Sequence, residues 1–201
     1  NQAGELSGIT RQAYDATDLP VSEKDFSIAA VTTRDIDRGD FPHYLLKEIG
    51  ESPNSLQKTL RGRIIQKGDR LEVTLPESSL PKSAVAALQA GTTRRILVIG
   101  QGTAAVAGQA IAGAIADAVS ESGIFVQATP ATELSGFGLG DEMDDTLIVA
   151  ISQSGTTTDT NRTVDLARNR GATVVAIVNR RGSDLTDKVD GVIYTSDGRD
   201  V

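Results

Sequence analysis

The residues best suited to chemistry lie in one short run. Leu147 to Ile151 is uninterruptedly apolar, and the nine residues after it, Ser152 to Thr160, hold six hydroxyls, the carboxamide of Gln153 and one glycine, Gly155. A set of neutral O–H and N–H donors without lysine or histidine suits the binding of an oxyanion better than proton transfer or metal ligation. Gly155 lets the backbone approach a ligand closely, while Ser152, Ser154, Thr156 and Thr157 add hydroxyl donors. A phosphate monoester is the anion that such a cup would hold. One or two serines or threonines at a helix start also serve as simple N-caps with no ligand, and that reading stays open for any single one of them. A cluster joined to a glycine at the end of an apolar strand favours the anion.

Such a loop works only if rigid elements hold it, and the sequence supplies them. From Arg94 onward the pattern is regular. "RRILVIG", "GIFVQAT", "TLIVAIS", "ATVVAIV" and "DGVIYT" read as strands. Between them lie a small-residue helix, "TAAVAGQAIAGAIADAVSES", the turn-rich "PATELSGFGLGDEMDD", the helix "TTTDTNRTVDLARNRG", and a short helix, "GSDLTDKV". Nearly uniform apolar strands alternating with helices predict a five-stranded parallel sheet covered on both faces, a three-layer α/β/α sandwich of flavodoxin-like winding. In such a sheet, ligands sit outside the carboxyl ends of the strands, where helix amino termini offer free N–H groups. The hydroxyl-rich run falls at such a place.

Ahead of that domain, residues 1–40 are polar and mixed, with a short alternating patch at Ile28 to Val31, and read as a linker or the remnant of a preceding module. Residues 41–91 form a helical arm and lead-in. Leu45, Leu46 and Ile49 share one face, Pro53 is expected to interrupt the helix, and Leu56, Leu60 and Ile64 continue the stripe. "RLEVTLPESSL" alternates as a strand, and "KSAVAALQAG" is a short helix closed by Gly91. Residues 92–201 make the sheet domain.

Composition removes several classes. The net charge is −7, from 20 basic and 27 acidic residues, which disfavours nucleic acid and anionic membrane as partners. Cysteine is absent and His43 is the single histidine, so thiolate chemistry, disulfides and histidine metal sites are not expected. No apolar run approaches the length of a membrane span, and the expectation is a cytoplasmic protein. The chain starts at Asn1 and ends on "DGRDV", which reads as a piece of something longer.

The loop after the first strand of the domain allows another reading. Gly100, Gly102 and Ala105 satisfy the G-x-G-x-x-A form of the dinucleotide fingerprint, but "GIFVQATPAT" offers no acidic residue for the ribose before Glu133. No G-x-x-x-x-G-K-[ST] nucleotide loop occurs. No cofactor is expected.

Two stretches resemble a known family. "ISQSGTTTDT" resembles the S-Q-S-G-E-T-x-D-T loop of sugar isomerase (SIS) domains. "FPHYLLKEIGESP" resembles the H-Y-M-x-K-E-I-x-E-Q-P arm that precedes the isomerase half of the glutamine–fructose-6-phosphate aminotransferases (isomerizing), also called glucosamine-6-phosphate synthases. The resemblance spans roughly Asp37 to the C-terminus and implies the first SIS domain with its arm. It implies a sugar phosphate, fructose-6-phosphate or glucosamine-6-phosphate, bound through Thr103, Ser152, Gln153, Ser154, Gly155 and Thr157, with Glu133 in a supporting place beside the sugar. No residue of this chain is implied to be catalytic: in the family, ammonia comes from a preceding glutaminase module, and isomerisation uses residues later in the chain. The resemblance also implies a homodimer in the full-length protein. Three positions depart from the pattern: Gln101 and Ala104 stand for the cysteine and serine of the family's C-G-T-S loop, and Thr156 stands for its glutamate. Ala104 and Thr156 keep a second reading in play, a regulatory SIS module that senses an amino-sugar phosphate.

Other residues have plainer roles. His43 is expected to pack or hydrogen-bond within the arm. Asp159 sits where a carboxylate favours a helix dipole. Arg180 and Arg181 could meet a ligand, though a solvated turn explains them. In the small-residue helix, Gly108 and Gly113 are expected to permit close approach to the sheet, with Ile111, Ile115, Ala118 and Val119 as its buried stripe.

Overall fold

The computed structural model describes residues 10–22 and 37–195. The patch at Ile28 to Val31 and the terminal "DGRDV" lie outside the described residues. The chain divides into two compact units, Asn1–Asp37 and Arg38–Val201. The first contains a small antiparallel pair, β1 (Arg11–Gln12) and β2 (Asp18–Leu19). Asp15 accepts a hydrogen bond from the Thr17 N–H at 3.0 Å inside its turn.

The second unit opens with α1 (Tyr44–Leu60). His43 is its N-cap, and its Nδ1 accepts the Leu46 N–H at 3.2 Å, which is the hydrogen-bonding role expected of it. Pro53 does not interrupt this helix but lies inside it. Proline removes one N–H bond, here the one to Ile49, and Ile49 is 59% exposed, so water reaches the carbonyl left over. The apolar stripe also ends sooner than its spacing suggests. Ile64 belongs to β3 (Ile64–Lys67), which pairs antiparallel with β4 (Arg70–Val73). The turn between them is Gly68–Asp69, with a positive φ of 63° at Gly68, a two-residue hairpin that needs glycine first.

After α2 (Lys82–Gln89) comes the sheet: β5 (Arg95–Gly100), β6 (Phe125–Pro130), β7 (Thr146–Ser152), β8 (Thr173–Val178) and β9 (Gly191–Tyr194). Their order is β6-β5-β7-β8-β9, and every pair is parallel. This is the expected flavodoxin-like order, with α3 (Thr103–Ala118) and α5 (Thr158–Arg168) as the longer crossovers. A very short helix, α4 (Ala131–Glu133), and a π-helical turn, Leu134–Gly138, follow β6.

Side chains alternate across the sheet, as strand geometry requires. Leu97, Ile99, Ile148, Ala150, Val174 and Ala176 pack on one face with Val164 and Ala167 of α5. Ile96, Leu147 and Val175 point to the other, against Leu88 of α2 and Ile115 of α3. Both faces are covered, which explains the unbroken apolar strands. Ile99 and Ile148 are completely buried, and each such side chain contributes ~1.5–3 kcal/mol.

Two expectations for local structure need correction. "GSDLTDKV" forms consecutive turns rather than a helix. Its polar residues are used locally instead, with the Thr186 hydroxyl donating to the Ser183 carbonyl at 2.6 Å. On α3 the deeply buried residues are Gly108 and Ala112, while Ala118 is exposed. Gly108 does allow close approach, since a Cβ there would lie 3.3 Å from Val98, but Gly113 faces open space and has no such role.

One ion pair stitches the amino edge of the sheet. Arg95 donates to Asp145 at 3.0 and 3.3 Å, and the Thr146 hydroxyl donates to the same oxygen at 2.8 Å. The Thr146 hydroxyl, and then Arg95, hold the Asp145 carboxyl below its usual value against an opposing effect of burial. A lowered folded value means that the stabilisation is present above the unfolded carboxylate value of about 3.9 and is lost as pH falls through the folded one. Asp145→Asn should therefore lower the melting temperature modestly near neutrality and flatten its fall in acid, as thermal unfolding across that pH range would record.

Candidate functional site

The sheet order places a crevice between β5 and β7. From β5 the chain leaves to one face through α3 and returns at the edge as β6, whereas from β7 it leaves to the other face through α5 and continues to β8. Loops that depart in opposite directions open a gap at the strand ends, the usual ligand position in such sheets. A cleft of ≈ 250 Å³ lies there. Thr103, Ser152, Gln153, Ser154 and Thr157 line it, so five of the six expected ligand residues come together.

The 152–157 loop is built to point its donors outward. Its carbonyls are engaged on the far side: Gln153 O accepts the Arg180 N–H at 3.2 Å, and Gly155 O accepts the Leu185 N–H at 3.0 Å. Asn161 adds a two-pronged brace, with Nδ2 donating to Gly155 O and to Thr157 O, both at 3.1 Å. These bonds occupy the Gln153, Gly155 and Thr157 carbonyls from the side away from the cleft. The hydroxyls obey the same logic. Ser152 Oγ accepts the Gly155 N–H at 3.0 Å, and Ser154 Oγ accepts from Thr156 N–H and Oγ1 at 3.3 and 3.0 Å. Ser154 Oγ thus has both lone pairs used and Ser152 Oγ one of its two, and each hydroxyl keeps its own proton to donate.

Helix ends reinforce this bias. The N-caps of α3 and α5 are Gly102 and Thr157, and neither makes a side-chain capping bond. The Ala105 N–H of α3 donates to the Gly102 carbonyl at 3.1 Å, and no side chain caps the other first-turn N–H groups of the two helices, whose positive dipole ends meet at one cleft. Asp159 lies in the first turn of α5, as expected, but does not line the cleft.

Gly155 itself is buried and works behind the cleft. Its N–H is committed to Ser152, its φ is +66°, and a Cβ built on it would run into Ser183 Oγ. It shapes the cup rather than touching what fills it. Thr156 likewise turns its hydroxyl to Ser154. Glu133 ends α4 as an exposed residue outside the lining of the cleft. Arg180 contributes its backbone N–H to the loop, and Arg181 stacks over the Tyr194 ring at 4.2 Å. Neither arginine lines the cleft.

The sequence reading missed Gln101, Ala104 and Ile151 as lining residues and Asn161 and Ser183 as supports. Gln101 and Ala104 had a signal, their position on the glycine-containing loop after β5. Asn161 had none beyond its place two residues after Asp159. Among the described residues, the buried side-chain atoms without a hydrogen-bond partner are Gln101 Oε1, Thr160 Oγ1, Asn161 Oδ1 and Ser183 Oγ. Gln101 lines the cleft, and Asn161 and Ser183 lie against Gly155 behind it. Buried polar groups are normally paired, and Gln101 is the one of these four residues that lines the cleft.

Fold and cleft together define a doubly wound sugar-isomerase-type module, and residues 92–201 match the family model described as "SIS domain". The chain belongs to the SIS domain family. It is 32% identical over its whole length to glutamine–fructose-6-phosphate aminotransferase [isomerizing] 1 of Arabidopsis thaliana, of which it covers 28%. It is 38% identical over 82% of its length to the aminotransferase of the same description from Symbiobacterium thermophilum, covering 25% of that protein. The chain thus spans less than a third of these relatives. Among solved structures, the C-terminal domain of glucosamine-fructose-6-phosphate aminotransferase from Francisella tularensis superposes with a TM-score of 0.62 at 23% identity, covering 82% of this chain and 42% of that one. Glucosamine-6-phosphate deaminase from Thermotoga maritima gives 0.54 at 20% identity, covering 76% and 40%. At these identities the likeness is one of fold. Among the described residues no helix is long and apolar enough to cross a membrane, and no three of His, Cys, Asp and Glu gather as a metal site.

Proposed function

We propose that the cleft between β5 and β7 binds the phosphate group of a sugar phosphate, and that the chain is the sugar-phosphate-binding SIS domain of an isomerising glutamine–fructose-6-phosphate aminotransferase. The observation that carries the reading is the polarity of the loop: its Gln153, Gly155 and Thr157 carbonyls are bound from behind and both serine oxygens already accept hydrogen bonds, which leaves the serine protons for a ligand. A phosphate dianion is an acceptor alone, and charge-assisted bonds to it are about twice as strong as neutral ones. The curated relatives support the choice of fructose-6-phosphate among phosphorylated sugars. In this reading Thr103, Ser154 and Thr157 donate to the phosphate, and Ser152 donates while holding Gly155. Gln153, at the mouth, faces the sugar. No residue of this chain is assigned to the isomerisation, so it binds substrate without turning it over.

Calorimetric titration with fructose-6-phosphate, glucosamine-6-phosphate and unphosphorylated fructose tests this. Saturable binding of the two phosphates and none of fructose is expected. Equal binding of fructose, or no binding of either phosphate at millimolar concentration by the folded chain, would overturn the reading. A stronger response to glucosamine-6-phosphate than to fructose-6-phosphate would point toward a regulatory module.

A further inference from the structure

The wall of the cleft opposite the 152–157 loop is built by the turn after β5, and its chemistry is uneven. Ala104 lines the cleft with a methyl group, in the first turn of α3, where a hydroxyl would face the ligand. Gln101 lines it with a carboxamide, whose two ends are chemically opposite: Oε1 accepts and Nε2 donates. The Oε1 atom is shut away from solvent and has no hydrogen-bond partner, whereas Nε2 is not among the buried unpartnered atoms.

We propose that Gln101 is a ligand-binding residue of this cleft, donating through Nε2 to the anion and supplying the donor that Ala104 does not. The inference rests on the phosphate reading given above. The other polar side chains lining the cleft, Thr103, Ser152, Gln153, Ser154 and Thr157, can all donate, whereas the amide of Gln101 turned end for end would set an acceptor against an acceptor-only ligand. Gly102 makes the placement possible: its φ of +59° lets the chain turn into α3 directly after Gln101, which keeps the side chain at the mouth of β5 rather than on the helix. Gln101 and Thr103 then reach the ligand from one side while Ser154 and Thr157 reach it from the other.

The test compares Gln101→Met, which keeps the shape and removes the donor, with Gln101→Glu, which sets a negative charge there, using fructose-6-phosphate and inorganic phosphate as probes. Ser154→Ala serves as the reference variant, and unchanged thermal unfolding confirms the folds. Gln101→Met should bind both probes about 10-fold more weakly, the loss of one charge-assisted hydrogen bond, and Gln101→Glu at least about 100-fold more weakly. Adding Ala104→Ser to Gln101→Met should restore most of the loss, because the hydroxyl then stands on the same wall. Alone, Ala104→Ser should tighten binding, a result that does not depend on the tolerance of position 101. Full affinity in Gln101→Met beside a weakened Ser154→Ala would overturn the role of Gln101 and leave the phosphate reading standing. Gln101→Glu binding as well as Gln101→Met would overturn it also, since a carboxylate beside the bound anion would then cost nothing and position 101 would not face it. Failure of the unmodified chain to bind either probe would overturn both inferences together.

Discussion

Gly155→Ala should unfold the domain at a markedly lower temperature. The added methyl meets two separate penalties. The backbone at Gly155 has φ of +66°, a conformation that costs an L-residue roughly 1–2 kcal/mol. The new Cβ would also run into Ser183 Oγ and lie 2.6 Å from Ser183 Cβ, an overpacking that costs about 1–3 kcal/mol where neighbours cannot retreat. Ser183 has little room to do so, because it is buried and its loop is tied to Gly155 by the Leu185 N–H bond of 3.0 Å. The sum, about 2–5 kcal/mol, corresponds to a fall of roughly 5–20 °C for a domain of this size. The two penalties separate in a double variant. Ser183→Gly removes the collision and leaves the backbone strain, so Gly155→Ala with Ser183→Gly should recover about half of the lost temperature. If Gly155→Ala melts within a degree of the unmodified chain, the packing of the two loops is not as described.

The second large effect falls on binding rather than on stability. Ser154 and Thr157 line the cleft, neither caps α5 through its side chain, and Ser154 Oγ keeps its proton free while accepting two bonds. Removing both hydroxyls in Ser154→Ala with Thr157→Val should weaken sugar-phosphate binding roughly 100-fold, as expected for two charge-assisted bonds of about 1.5 kcal/mol each. The melting temperature of the free chain should move by only a few degrees, since no buried partner is left unpaired by the loss. The alternative, that these hydroxyls only stabilise a helix start, predicts a loss of stability of about 1 kcal/mol, again a shift of a few degrees, but no change in affinity. Calorimetry of one variant therefore decides between the two.

Much of this was legible because periodicity and burial are coupled. Strands covered on both faces must be apolar throughout, so Ile96–Ile99, Leu147–Ile151 and Val174–Val178 announce a sheet with helices on each side. The cup was legible for a related reason, since hydroxyls crowded at the end of such a strand have few other uses. What escaped detection depends on contacts distant in the chain. Asn161 braces the loop from inside α5, and Ser183 fills the space that Gly155 leaves, yet neither residue looks unusual among its neighbours. Ile64 shows the limit of helical spacing: it is in step with Leu56 and Leu60, but the Gly68 turn pairs its segment with β4. Pro53 shows another, because a proline ends a helix only where the lost bond matters, and on an exposed arm it matters less. "GSDLTDKV" had helix-compatible composition and a short length, and its polar side chains bonded to nearby backbone instead.

The most direct test of the account is to follow backbone amide resonances of the chain while fructose-6-phosphate is added. If the donor cup holds the phosphate, the largest saturable shifts will appear at residues 154–158, at the amino end of α3 from Thr103 to Ala105, and in the side-chain amide of Gln101, with fructose producing none of them. Shifts that cluster elsewhere on the domain, or no shifts at millimolar ligand, would contradict the central claim.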